Sequence, residues 1–384
     1  MKDLIVLVLL VPLLALAACG KSKQLAPPTP LENFQTAVDS RKLWSSSLSA
    51  DADESFSRLQ LAIANGVVYA CSERGQVAAF SQDRGKRVWR IDTSLRLSGG
   101  VGLTEQFLLV GSREGDVLAI DRNNGNIVWR TNVASEVSAA PQAASGVVVV
   151  NSGDGHLYGY RLDDGQRLWA HQRQTPALSL KGGSAPQVVA DRVISGFASG
   201  ELDMLNIRDG EVIWSVAVGV PKGSTELERI SDIDSDPVIY DDTIYVGAYQ
   251  GRVAAIDINS GGISWSRDIS SYAGLAVDDN AVYVSDADDR VWALDRNSGA
   301  TLWSIDKLLR RSITGPAVQG DYVVVADFEG YVHWLSKSDG SFAGRRRVTS
   351  KGLLDTPLVA DNVLYVFGKG GGINALALEP RKNR

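Results

Sequence analysis

Cysteine, histidine and dense basic charge are all scarce in this chain, and each shortage removes a class of function. Among 384 residues there are two cysteines, Cys19 and Cys71, and three histidines, His156, His171 and His333. Two cysteines do not make the disulfide framework that staples small secreted domains, so stability must come from packing. The histidines lie far apart in sequence, in strand or strand-end positions, and no spaced Cys/Asp set accompanies them, which argues against a metal or catalytic centre. The formal net charge is −6 and the only long basic run is Arg345-Arg346-Arg347. That run reads as a solvated strand or turn, and the balance argues against a nucleic-acid binder. Two acidic stretches, Asp232 to Asp236 and Asp286 to Asp289, have partial calcium-loop spacing. In the first, Pro237 stands where the loop needs glycine and Thr243 where it needs a bidentate glutamate; in the second, Arg290 and Val291 interrupt the pattern. No GxSxG elbow, Walker loop or dinucleotide fingerprint occurs. The longest apolar run, residues 4–18, is 15 residues, too short for an ordinary spanning helix.

Glycine and tryptophan, by contrast, are placed with regularity. The stretch Gly115 to Arg130, GDVLAIDRNNGNIVWR, combines a strand, a polar turn and a second short strand ending on Trp129. Gly125 stands where the hairpin needs a positive φ. Trp129 is a large ring suited to the wedge between two neighbouring sheets. The phrase recurs with Trp89, Trp169, Trp214, Trp265 and Trp303, at intervals of 40, 40, 45, 51 and 38 residues counted from Trp89. A seventh copy has Gly344 in the tryptophan slot, and an eighth begins at Gly371 and stops. Trp44 lies in phase, 45 residues before Trp89, with no hairpin ahead of it. Fixed-period self-similarity with four short strand signals per period predicts an all-β, eight-bladed β-propeller of four-stranded antiparallel blades. The N-terminal strand then completes a blade whose other strands lie around 358–378, which closes the ring and leaves no half-built edge. With 44% hydrophobic residues and 38 glycines, the chain can bury the core that residues 39–384 would need as one ring.

Residues 1–18 have the layout of a signal peptide. The run ends Leu16-Ala17-Ala18-Cys19, which resembles the bacterial lipobox. Cleavage before Cys19 would make it the lipidated N-terminus, and Gly20 rather than Asp at the next position implies transfer to the outer membrane. Residues 20–38 contain Pro27, Pro28 and Pro30 without strand periodicity, so 19–38 is expected to be a lipidated cysteine and a flexible tether. Cys71, in a Val-Tyr-Ala strand, is expected to be a small buried hydrophobe.

The two long periods carry the functional expectation. Extra residues fall in His171 to Gly183 and in Gly219 to Asp236, and insertions in a repeat protein map to loops, frequently on a binding face. The first contains Leu178, Leu180 and Lys181; the second contains Glu226, Glu228, Arg229, Asp232, Asp234 and Asp236. Adjacent blades would set them side by side as an apolar and acidic patch.

The repeat Ala119, Asp121, Gly125, Trp129 resembles the tryptophan-docking repeat of pyrroloquinoline quinone dehydrogenases, themselves eight-bladed propellers. Their cofactor site uses a vicinal cysteine pair and a calcium ion; this chain has no adjacent cysteines, is shorter, and lacks the large catalytic insertions. Fold does not carry chemistry, and no cofactor, metal or catalytic residue is expected. Lipobox, tether and eight such repeats together resemble the BamB family, lipoproteins of the outer-membrane β-barrel assembly machinery. The resemblance is most specific at Leu178-Ser-Leu180-Lys181-Gly and Glu226 to Asp234. It implies a non-catalytic scaffold whose two loops dock the periplasmic domains of BamA. Leu178 and Leu180 would be apolar anchors, and Lys181, Arg229, Asp232 and Asp234 the charged partners. Lys181 departs from the arginine common in the family, which loses the planar fork. Unfolded barrel precursors could add to a blade edge by β-augmentation, though no edge is singled out. The alternatives are a quinone-dependent dehydrogenase and an adaptor lipoprotein of another envelope complex.

Overall fold

Small and β-branched residues fill the middle strands of every repeat, and these strands are buried on both faces, as sheets stacked face to face require. The computed structural model describes residues 26–48, 58–176, 178–180, 182–219, 224–225, 227, 230–353 and 355–381. Eight antiparallel sheets follow one another, each running from its innermost to its outermost strand. Blades 1 to 7 span 62–92, 97–132, 142–172, 187–217, 238–267, 275–305 and 317–347. Blade 8 takes Leu358–Ala360, Val363–Phe367 and Gly372–Pro380 from the C-terminal end and Val38–Ser47 from the N-terminal end. Their antiparallel ladder, from Val38 opposite Pro380 to Ser47 opposite Gly372, closes the ring as the repeat phase predicts. The apolar clusters sit between neighbouring blades; Leu109, Ala119 and Trp129 of blade 2, for instance, pack on Val148, Val150 and Tyr160 of blade 3.

The repeat tryptophans lock every blade to the next except blade 7 to blade 8. The outermost strand slips register just before its tryptophan, as between Ile127 and Trp129, a bulge that re-aims the ring toward the neighbouring blade. Each indole N–H then donates to a carbonyl in the next blade's last hairpin: Trp129 to Leu162 at 2.7 Å, Trp169 to Ile207 at 2.8 Å, Trp303 to Lys337 at 2.8 Å. The hairpin glycine is needed twice over. Gly165 has φ +70°, and a Cβ there would lie 2.7 Å from Trp129 Cε3. The missing tryptophan of the seventh repeat has the same explanation. Blade 8 draws its outermost strand from the other end of the chain, so it has no last hairpin for an indole to reach. Gly344 instead lets Val38 approach, and Trp334 is buried between blades 7 and 8 with its N–H on Gln319 of blade 7.

Two features depart from expectation. Blade 2 carries a fifth, two-residue strand, Arg58–Leu59, running parallel to its innermost strand. And the tether expected over 19–38 is held against the ring from Pro27 onward. Thr29 N–H donates to Leu309 at 3.0 Å and Ala37 N–H to Ala343 at 2.8 Å. Phe34 stacks on Phe342 at 5.3 Å, and Leu31 packs among Leu308 and Ile313. Aromatic and aliphatic residues interleaved with the prolines give this stretch something to bury, which a solvated linker lacks. Residues 1–18, Cys19 and the linker up to residue 25 lie outside the described residues.

Candidate functional site

The connections that lead from the outermost strand of one blade to the innermost of the next share one face of the ring with the hairpins between the second and third strands. Both off-period segments are such connections. The second is pinned from below: Ile233 is buried with its N–H on the Phe197 carbonyl at 3.2 Å, and the Asp232 carbonyl accepts from Tyr249 N–H at 2.8 Å. The first is then clasped to the second. Leu180 N–H donates to the Asp232 carboxylate, and Ala185 N–H donates to Asp236 Oδ1 at 2.7 Å. Gly182 lies so close to Asp234 that a Cβ would sit 3.0 Å from its Oδ1.

Arg58 completes the clasp from two blades away. Its Nη1 donates to the Gly183 carbonyl at 2.7 Å and the Asp234 carbonyl at 2.5 Å, and it pairs with Asp236 Oδ1 at 3.1 Å. One guanidinium nitrogen, Nη1, thus holds both loops at once. Beside this clasp opens a cleft of ≈ 660 Å³, lined by Ser179, Leu180 and Asp234 from the loops and by Arg113, Asn151 and Phe197 from blades 2 to 4.

The acids here are poised away from their ordinary values. Burial pushes Asp232 up to about 7, against the bond from Leu180 and with the neighbouring charge of Asp234 adding to the rise. Burial pushes Asp234 up to about 6; Arg58 opposes that and Asp236 reinforces it. Asp232 is 1% exposed, and its Oδ1 has no hydrogen-bond partner.

The expected site residues therefore separate. Leu178 is 43% exposed on the rim, Leu180 is half-buried at the cleft, and Asp234 is half-buried between the loops. Asp232, expected to offer its charge outward, is turned into the protein and acts as the acceptor that positions Leu180; the loop's own backbone donor reaches it before any partner could. Lys181 and Arg229 lie outside the described residues. Sequence reasoning missed Arg58, which sits in a stretch with no repeat signature, and did not single out Leu227, an apolar side chain 66% exposed in the second loop. Among the described residues no group of His, Cys, Asp or Glu is arranged to hold a metal ion.

A closed eight-bladed ring with indole-locked blades, clasped loops widening one face, defines a quinoprotein-like propeller with a built surface patch. The fold alone is shared with the quinohemoprotein alcohol dehydrogenase of Comamonas testosteroni, at a TM-score of 0.71 and 13% identity over 90% of this chain and 78% of that one. Sequence comparison narrows the class. The family model for outer membrane protein assembly factor BamB matches residues 73–305 and 298–381. Outer membrane protein assembly factor BamB of Pseudomonas aeruginosa is 44% identical over 368 residues, covering 95% of this chain and 97% of that one. That of Yersinia pestis is 34% identical over 90% and 91%. The crystal structure of BamB from Moraxella catarrhalis matches with a TM-score of 0.82 and 27% identity, over 88% of this chain and all of that one. The chain belongs to the BamB family.

Proposed function

We propose that the chain is a non-catalytic scaffold of the outer-membrane β-barrel assembly machinery, held on the periplasmic face of the outer membrane by a lipid on Cys19. Its two off-period loops bind the periplasmic domains of BamA, and the ring so placed aids assembly of barrel precursors. The observation that carries this reading is the clasp. Loops with no partner to meet need not be wired together, yet Asp232, Asp236 and Arg58 fix both in one surface while Leu178 stays exposed on its rim. A preorganised apolar anchor beside charged groups is the arrangement that gives a protein–protein interface most of its affinity. Leu178 and Leu180 serve as the anchors, with Lys181, Arg229 and Asp234 as the charged partners. Capture from detergent-solubilised envelopes with the tagged lipoprotein as bait tests it. BamA should co-purify with the wild-type chain and fall at least ten-fold with Leu178→Glu; undiminished recovery would move the site elsewhere on the ring.

A further inference from the structure

The docked N-terminal segment changes how the ring can sit on a membrane. Residues 27–37 begin at the connection between blades 6 and 7, where Arg310 Nε donates to the Pro27 carbonyl at 2.8 Å and Arg311 Nη1 to the Thr29 carbonyl at 3.1 Å. Lys307 pairs with Glu32 at 2.8 Å, and Arg345 donates to the Glu32 carbonyl at 2.9 Å while lying over Phe34 and Phe342. Beneath them is a buried relay. Arg311 binds Asp327 at 2.8 Å and also Glu329; His333 Nε2 meets Asp327 at 3.0 Å and its Nδ1 accepts from Arg345 Nε at 3.1 Å. The segment is thus fixed by backbone bonds, aromatic stacking and ion pairs together, which a passing linker would not need.

The consequence is one of reach. From Cys19 to Ala26 there are eight residues, at most about 28 Å of extended chain, whereas a linker free as far as Ala37 would span about 65 Å. The leash leaves from the same face of the ring that bears the off-period loops. Around its exit the rim of blades 7 and 8 carries Arg310, Phe328, Arg347, Lys351 and Lys369. Of the acids there, Asp327 and Glu329 are taken up by Arg311, Glu32 by Lys307 and Asp288 of the adjoining blade 6 hairpin by Arg290, while Asp306 is exposed and Asp355 half-buried. Basic charge with an exposed aromatic ring suits an anionic headgroup layer.

We propose that residues 27–37 are a docked strap that fixes the exit of the lipid anchor over blade 7, so that the rim of blades 7 and 8 is the part of the ring held against anionic lipid headgroups. This rests on the reading that Cys19 is lipidated. The test uses the lipidated full mature chain in vesicles of phosphatidylethanolamine and phosphatidylglycerol that carry a headgroup quencher. A fluorophore is placed through Ser350→Cys on the blade 7 rim, or through Asp163→Cys on the opposite face of blade 3, across the ring. Cys71 is buried and does not compete for label. Quenching at Ser350 should exceed that at Asp163 at least five-fold, and the ratio should fall below two-fold in Phe34→Ser/Arg345→Gln, with Phe34→Ser alone as the milder release. Membrane-bound protein with equal quenching at both positions in the wild type overturns the strap. Protein that stays off the vesicles altogether overturns the lipid anchor as well.

Discussion

Replacing Asp232 by asparagine separates two roles that sequence alone would merge. The carboxylate is 1% exposed, accepts from Leu180 N–H, and has its other oxygen unpartnered. Its folded-state pKa is pushed up to about 7, against about 3.9 in an unfolded chain. Between those values the folded protein binds more protons than the unfolded one, so stability falls as pH rises from about 4 to 7 and the full penalty applies above it. Three units correspond to about 4 kcal/mol as an upper figure, and relaxation of the site reduces what is measured to roughly 1–3 kcal/mol. Asparagine keeps an acceptor for Leu180 and carries no charge. Asp232→Asn should therefore be more stable than wild type by that amount at pH 8, and close to it at pH 4. Urea unfolding followed by tryptophan fluorescence at both pH values measures this. Because the clasp survives, partner binding should stay within about two-fold of wild type, whereas Asp232→Ala, which frees Leu180, should weaken it. A destabilised Asp232→Asn protein at pH 8, or lost binding with an intact fold, would refute the clasp and restore an outward ionic role.

The indole locks and the buried relay yield further tests. Gly165→Ala and Gly146→Ala both place alanine at positive φ, +70° and +77°, but only the first meets Trp129. The second should cost about 1 kcal/mol and the first at least 1–2 kcal/mol more, read from melts. Burial lowers the His333 pKa, so the folded state holds it neutral; stability is lost as pH falls below about 6.5, the unfolded value, and His333→Gln should flatten that limb of the profile. Cys19→Ser should leave circular dichroism unchanged and release the chain from membranes in fractionation, because the blade strands begin at Val38. Addition of pyrroloquinoline quinone and calcium should give only background dye-linked alcohol or sugar oxidation; stoichiometric binding with turnover would reinstate the dehydrogenase alternative.

The ring was legible because its repeat is written in residues with a geometric duty. A tryptophan and, one period later, a glycine are two halves of one contact, as Trp129 and Gly165 show, so their spacing reports the blade rather than mere turn preference. The break at Gly344 was visible but not its reason, which lies in where the two chain ends meet. The off-period loops could be located by counting, yet not which acids face inward. That depends on Ile233 anchoring one loop so that Asp232 lands under Leu180. Arg58 was illegible since its partners, Gly183 and Asp234, are far away in sequence and mostly backbone carbonyls, which leave no side-chain signature. The strap was misjudged as free because prolines suggest a linker, while its partners on blade 7 are known only once the ring is built.

The most direct measurement is a calorimetric titration of the purified periplasmic fragment of BamA against the wild-type ring and Leu180→Ala. Leu180 sits at the junction of both loops and the cleft, and loss of a buried apolar anchor at such a position costs about 1–3 kcal/mol of binding. Wild type should bind saturably and one-to-one, and the dissociation constant should rise roughly 5- to 150-fold in the mutant, with its melting point near wild type. Equal affinity for both rings, or no binding by the folded wild-type chain, would contradict it.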